Sequence, residues 1–90
     1  MKWTVVFKSP SDNLLAELWT IGPDRADITK AANRIDWLLR HYPLDVGESR
    51  DEDVRILVEP PLAVLYTVSE ADFLVSVFDV WRWSNPPSTN

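Results

Sequence analysis

The sequence contains no cysteine, and none of its apolar runs approaches the length of a membrane span. The missing thiols exclude disulfide bonds and thiolate metal sites. A helix that crosses a bilayer needs about 20 consecutive apolar residues. The opening stretch MKWTVVFKSP has too short an apolar core for a secretory signal peptide, and it lacks a small-residue cleavage site. These absences favour a soluble, cytoplasmic protein without a membrane partner, and we expect neither a cofactor nor a metal.

Basic residues are scarce in the second half of the chain. The sequence has nine Lys and Arg against fourteen Asp and Glu, which gives a net charge of -5. Only Arg50, Arg55 and Arg82 follow His41, whereas nine of the acids do. Long-range repulsion from such a chain disfavours direct binding of free DNA or RNA unless a local basic patch overcomes it.

The hydrophobic pattern predicts one α+β domain. Alternating or continuous apolar runs predict strands at 2–8, 54–59, 62–68 and 73–83. Helical spacing predicts a hairpin of two helices, the first with Ser9 as its cap, Pro10 as its first residue and Gly22-Pro23 at its end, the second running from the cap Asp24 to Tyr42. The order β-α-α-β-β-β then describes a two-layer fold in which the helical hairpin packs on a four-stranded, largely antiparallel sheet. We expect residues 1–83 to form this domain and residues 84–90 to form a flexible tail.

The five tryptophans fall into two groups. Trp3, Trp19 and Trp37 follow the periodicity of their elements and are predicted at the core or its rim. Trp81 and Trp83 lie two apart on the last strand, so they share a face and are predicted to stay partly exposed. Exposed tryptophans beside Arg82 are typical of a protein-contact surface. A stacking platform for bases is the alternative, which the surrounding acids disfavour.

Several segments resemble the RelE/ParE superfamily of bacterial type II toxins. They are DRADITKAANRIDWLL, PLDVGESR, VRILV, LAVLYTV and VSVFDVWRW, and together they span most of the chain from Trp3 to Trp83. The resemblance is closer to the ParE-like, plasmid stabilisation branch. It implies a cognate antitoxin as partner. It also implies one of two targets, because ParE-like toxins inhibit DNA gyrase whereas RelE-like toxins cut mRNA on the ribosome.

The nuclease branch implies a set of catalytic residues on the open face of the sheet. Cleavage by 2′-hydroxyl attack needs a base, cations that stabilise the phosphorane, and an acid. The matching residues would be Arg50 and Arg55 for the phosphate, Tyr66, Arg82 and, as the base, Glu48. The last strand ends in VWRW, where nucleases of the family commonly offer His or Tyr, and this departure disfavours cleavage. The single histidine, His41, is predicted to cap the second helix.

Each arginine also has a purely structural interpretation. Arg50 can pair with acids of its own loop. Asp79 interrupts an apolar strand and needs a cation, which Arg55 or Arg82 can supply. We therefore interpret GESRDEDVR, residues 47–55, as a contact region for a protein.

The residues predicted to bind a partner are Arg55, Trp81, Arg82 and Trp83. The sequence favours a toxin-like protein that acts by binding an antitoxin and, as a target, DNA gyrase. A ribosome-dependent endoribonuclease and a non-toxic interaction module, for example a homodimer, are the alternatives.

Overall fold

Two helices pack on one face of a five-stranded sheet in the computed structural model, which describes residues 2–9, 11–21, 24–51 and 53–83. In chain order the elements are β1 (Thr4–Phe7), α1 (Ser11–Ile21), α2 (Arg25–His41), β2 (Glu48–Ser49), β3 (Val54–Glu59), β4 (Leu62–Ser69) and β5 (Leu74–Arg82). The predicted two-layer α+β fold with a helical hairpin is confirmed, and the sheet gains the short strand β2. The predictions for Pro10, Gly22-Pro23 and the tail 84–90 lie outside the described residues.

The strands lie in the order β1-β5-β4-β3-β2. β1 runs parallel to β5, and every other neighbouring pair is antiparallel. A parallel neighbour requires a long crossover connection, because the chain must return to the same end of the sheet. The two helices lie in that stretch of the chain, so β1 reaches the same sheet as the three later long strands, as predicted.

The core lies between α2 and the sheet. Ile28, Ala31, Ile35 and Leu39 of α2 are buried, and their spacing of three and four residues forms a single helical stripe. They pack against inward residues of four strands: Val5, Leu57, Leu62, Val64, Tyr66, Val75, Val77 and Val80. Fully burying one such aliphatic side chain stabilises the fold by about 1.5–3 kcal/mol. None of the described helices combines the length and apolar character needed to cross a membrane.

A bulge interrupts β5 and reverses which side chains face the helices. Leu65 pairs with Asp79 while Tyr66 pairs with Val77, so Phe78 is the extra residue. Val77 and Val80 are both buried although they are three positions apart. Strict alternation from Val77 would direct Asp79 toward the core, whereas the bulge turns it to the opposite face.

The N-terminal end of α2 differs from the predicted capping, whereas the C-terminal end follows it. Asp24 occupies the N-cap position but makes no side-chain capping hydrogen bond, because its carboxylate binds Arg82 of β5 instead. At the other end, the Nδ1–H of His41 donates to the carbonyl oxygen of Trp37 at 2.8 Å. A histidine that satisfies a carbonyl in the last turn is the role predicted for His41.

Candidate functional site

Arg55 is hydrogen-bonded to the loop that joins α2 to β2, residues 43–47. Its Nη2 donates to three backbone carbonyl oxygens of this loop at 3.2 to 3.3 Å, those of Leu44, Val46 and Gly47. Arg55 faces the helix side of the sheet, as do its strand neighbours Leu57 and Glu59. The predicted pair between Arg55 and Asp79 is wrong, since the bulge puts Asp79 on the other face.

Tyr66 completes the same arrangement from β4. Its hydroxyl lies 2.9 Å from the carbonyl oxygen of Pro43 and 2.8 Å from that of Val46, and it accepts from Nε of Arg55 at 3.4 Å. The Tyr66 side chain is 0% exposed. Burial raises the pKa of Tyr66, an effect that the adjacent guanidinium partly offsets. A hydroxyl that is buried, hydrogen-bonded and less acidic than usual favours a structural role over proton transfer.

Arg82 lies far from this arrangement and binds the start of α2. Its Nη1 donates to Oδ2 of Asp24, so it points to the helix side. The hydrogen bond from Arg82 lowers the pKa of Asp24 and opposes the effect of desolvation. The predicted pair between Arg82 and Asp79 is wrong. Glu59, which lies on the same face of β3 as Arg55, pairs with Arg34 of α2 at 2.9 Å.

The side of the sheet away from the helices, the open face, is largely apolar. The strand registers align its residues in transverse rows, one of which is Asp79, Leu65, Ile56 and Glu48. The next row holds Trp81, Ala63 and Val58. Trp81 and Trp83 are half-buried, as predicted, whereas the arginine between them belongs to the other face. The predicted partner-binding set is therefore split between two faces.

A groove at one end of the open face does bring three predicted site residues together. Its volume is about 510 Å³, and Glu48, Arg50 and Trp83 line it together with Gly47, Ile56, Leu57 and Val58. Gly47 has a φ of +74°, and an added Cβ would lie 2.6 Å from the carbonyl oxygen of Ile56. Only glycine fits this turn without strain, and the turn carries Glu48 to the edge of the sheet.

The groove offers one cation and one carboxylate for chemistry. Among the described residues, Arg50 is the one of the three candidate arginines whose guanidinium makes no hydrogen bond or ion pair. Glu48 can accept a proton, but none of the groove's described lining residues is a histidine or tyrosine that could return one. The five predicted catalytic residues thus do not share the open face: Arg55, Tyr66 and Arg82 belong to the helix side. No group of three or more His, Cys, Asp or Glu suited to a metal occurs among the residues described.

Two of the tryptophans predicted at the core are on the surface. Trp19 is 44% and Trp37 50% exposed, and both lie on helix faces turned from the sheet. Trp37 stacks on His41 with ring centroids 4.5 Å apart, and Trp19 donates to Oγ1 of Thr29 at 2.9 Å. Trp3 alone packs at the edge of the core, as predicted. Both tryptophans find their partners on the helices themselves, at the surface. Periodicity alone therefore did not distinguish them from core residues.

The fold recurs in solved toxin structures. No protein-family model matches the sequence, and no curated protein matches it. A chain of the toxin–antitoxin complex RelBE2 from Mycobacterium tuberculosis superposes with a TM-score of 0.77 at 17% identity, over 94% of this chain and 95% of that one. A chain of the chromosomal ParDE system of P. aeruginosa gives 0.66 at 13% identity, over 91% and 97%. The isolated E. coli RelE toxin gives 0.62 at 14% identity, over 93% and 87%.

These matches define the architecture. The described residues form a two-layer α+β domain in which both helices lie on one side of the sheet. The same fold is found in the E. coli RelE toxin and in chains of the RelBE2 and ParDE systems, so the fold that the resemblance of the sequence segments implies is confirmed.

Proposed function

We propose that this chain is the toxin-like component of a type II toxin–antitoxin pair and that it acts by binding proteins. The observation that carries the proposal is the match over 94% of the chain to a member of a toxin–antitoxin complex, at a TM-score of 0.77. The first partner is then a cognate antitoxin, and the cellular target is DNA gyrase, as in the ParE-like branch.

The chemistry of the open face supports protein binding over cleavage. The middle of its rows is apolar, with Leu65, Ile56 and Ala63, and Trp81 and Trp83 are half-exposed there. Half-buried tryptophans are frequent energetic centres of protein interfaces. Two of the three candidate cations, Arg55 and Arg82, are already bound by a loop and by Asp24. Little positive charge is left on this face for a phosphate backbone, and the net charge of -5 repels one.

Controlled expression tests the proposal. Inducing the chain alone in a bacterial host should arrest growth, and co-expressing the neighbouring small open reading frame should restore it and yield a stable complex on purification. A gyrase supercoiling assay with the purified chain should show inhibition that the second protein relieves. Unimpaired growth under good expression would count against toxicity, and undiminished supercoiling would count against gyrase as the target.

A ribosome-dependent endoribonuclease is the second candidate, and the proximity of Glu48 and Arg50 in one groove favours it. Primer extension on mRNA from induced cells would then reveal cuts in phase with codons. Both Glu48→Gln and Arg50→Ala should abolish such cuts. Intact transcripts during growth arrest would eliminate this candidate.

A non-toxic interaction module is the third candidate, which the acidic composition favours over the nuclease. Such a module would leave growth unaffected and form a stable homodimer, measurable by light scattering after size-exclusion chromatography. A monomer that arrests growth would exclude it.

A further inference from the structure

One transverse row of the open face carries a carboxylate at each end and aliphatic side chains between them. The row runs Asp79, Leu65, Ile56, Glu48 across β5, β4, β3 and β2. Adjacent strands lie about 4.8 Å apart, so roughly 14 Å separate the backbones at the two ends of the row. An acidic group, an apolar stretch and a second acidic group thus follow one another across the sheet at a defined spacing.

Asp79 has no cationic partner among the residues that the structure describes. It is half-buried on an apolar face, between Trp81 along its strand and Leu65 opposite. Its carboxylate makes no ion pair or hydrogen bond with any residue in the described part of the chain. A carboxylate with reduced hydration is stabilised by a positive partner. Glu48, at the other end of the row, has Arg50 in the same groove. Asp79 is therefore the carboxylate that a cation from another molecule would stabilise more.

We propose that this row binds a basic amphipathic segment of a protein partner. The inference rests on the proposed function, in which that partner is the antitoxin, and it specifies the chemistry of the contacting segment. A helix rises 1.5 Å per residue, so positions i, i+4, i+7 and i+11 share one face and span about 16 Å. Lys or Arg at the two outer positions would meet Asp79 and Glu48. Leu or Ile at the two inner positions would pack on the half-buried Leu65 and above Ile56, which is already buried.

The same charges argue against a nucleic acid on this row. A phosphate backbone would bring negative charge to both carboxylates, on a chain whose net charge is already -5. A basic peptide instead neutralises both ends of the row and buries the apolar centre.

A pair of synthetic peptides tests the inference. Both are helical, about 16 residues long on an alanine and glutamine host, with Leu at i+4 and i+7. One carries Lys at i and i+11, and its twin carries Glu there. Fluorescence anisotropy of the labelled peptides with the full chain should give a Kd roughly tenfold lower for the cationic peptide in low salt. Added salt should reduce this preference.

Charge substitutions identify the row as the binding site. Asp79→Asn and Glu48→Gln should each weaken binding of the cationic peptide severalfold, and Asp79→Lys should shift the preference toward the acidic twin. Glu17→Gln is the matched control, because Glu17 is exposed on α1 and the substitution also removes one negative charge. It should leave the preference unchanged. Circular dichroism verifies that each variant is folded.

Three outcomes would overturn the inference: neither peptide binds, both bind equally, or Asp79→Lys keeps the wild-type preference. Tighter binding of a short single-stranded RNA than of the cationic peptide would overturn it as well. The proposed function and this inference can be refuted independently of each other. A chain that arrests growth but ignores both peptides refutes only the inference, whereas selective peptide binding without growth arrest refutes only the toxin role.

Discussion

Arg55 and Tyr66 lie opposite each other on β3 and β4, and both form hydrogen bonds with the same loop, residues 43–47. The guanidinium Nε is 3.4 Å from the phenol oxygen, and both groups contact carbonyl oxygens of residues 43–47. This loop leads directly into Glu48 and the groove on the open face. Arg55 and Tyr66, two of the five residues that the resemblance implies as catalytic, therefore act on the groove indirectly, because they fix the path of the chain that carries Glu48 and Arg50.

Tyr66→Phe should destabilise the fold by about 1–2 kcal/mol, because the carbonyl oxygens of Pro43 and Val46 lose the one hydroxyl proton that they share while the ring volume is kept. Urea unfolding followed by circular dichroism measures the change. Tyr42→Phe is the control, since Tyr42 is 48% exposed. Equal stabilities of the two variants would show that the hydroxyl of Tyr66 contributes nothing.

Gly47→Ala should lower the free energy of unfolding by at least about 2 kcal/mol, because φ is positive there and the new Cβ would collide with backbone. It would lie 2.6 Å from the carbonyl oxygen of Ile56 and 2.8 Å from the hydroxyl of Tyr66. Chemical denaturation provides the measurement. Asp45→Ala, at an exposed position of the same loop, should stay within about 0.5 kcal/mol of wild type.

Combining Gly47→Ala with Tyr66→Phe distinguishes the two close contacts of the new Cβ, one with the carbonyl of Ile56 and one with the hydroxyl of Tyr66. The double variant removes the contact with the hydroxyl but keeps the contact with the Ile56 backbone, so it should be more stable than the sum of the single effects predicts. Strict additivity would mean that the loop moves away from Tyr66 when Ala is introduced.

The sequence predicted the layers and the element order because both depend on periodicity, which each segment carries within itself. It could not predict the bulge at Phe78, because a register shift depends on the partner strand. From the sequence, Asp79 was therefore only an acid that interrupts an apolar strand and needs Arg55 or Arg82 as a partner. The ion pair of Arg82 with Asp24 joins residues 58 positions apart, a separation that no local pattern encodes.

Leu39→Ala should cost about 2–5 kcal/mol, since Leu39 is 0% exposed in the core beneath α2 and its truncation leaves a cavity. Leu44→Ala makes the same chemical change at a position that is 44% exposed, and it should cost less than about 0.5 kcal/mol. Thermal unfolding of the two variants compares them directly. Similar losses would contradict the assignment of the core to the α2 side of the sheet.

The carboxylate of Asp24 makes the free energy of unfolding depend on pH in the acidic range. Its pKa in the folded chain lies below its ordinary value of 3.8, because Arg82 donates to the carboxylate. The stabilisation is therefore complete above the unfolded pKa and disappears as the pH falls through the lower folded value. Asp24→Asn and Arg82→Met should each flatten the acid limb of the stability curve, measured by urea unfolding from neutral pH downward. Glu17→Gln, which removes an exposed acid elsewhere, should leave that limb unchanged. Parallel curves for all four proteins would exclude the pair as its cause.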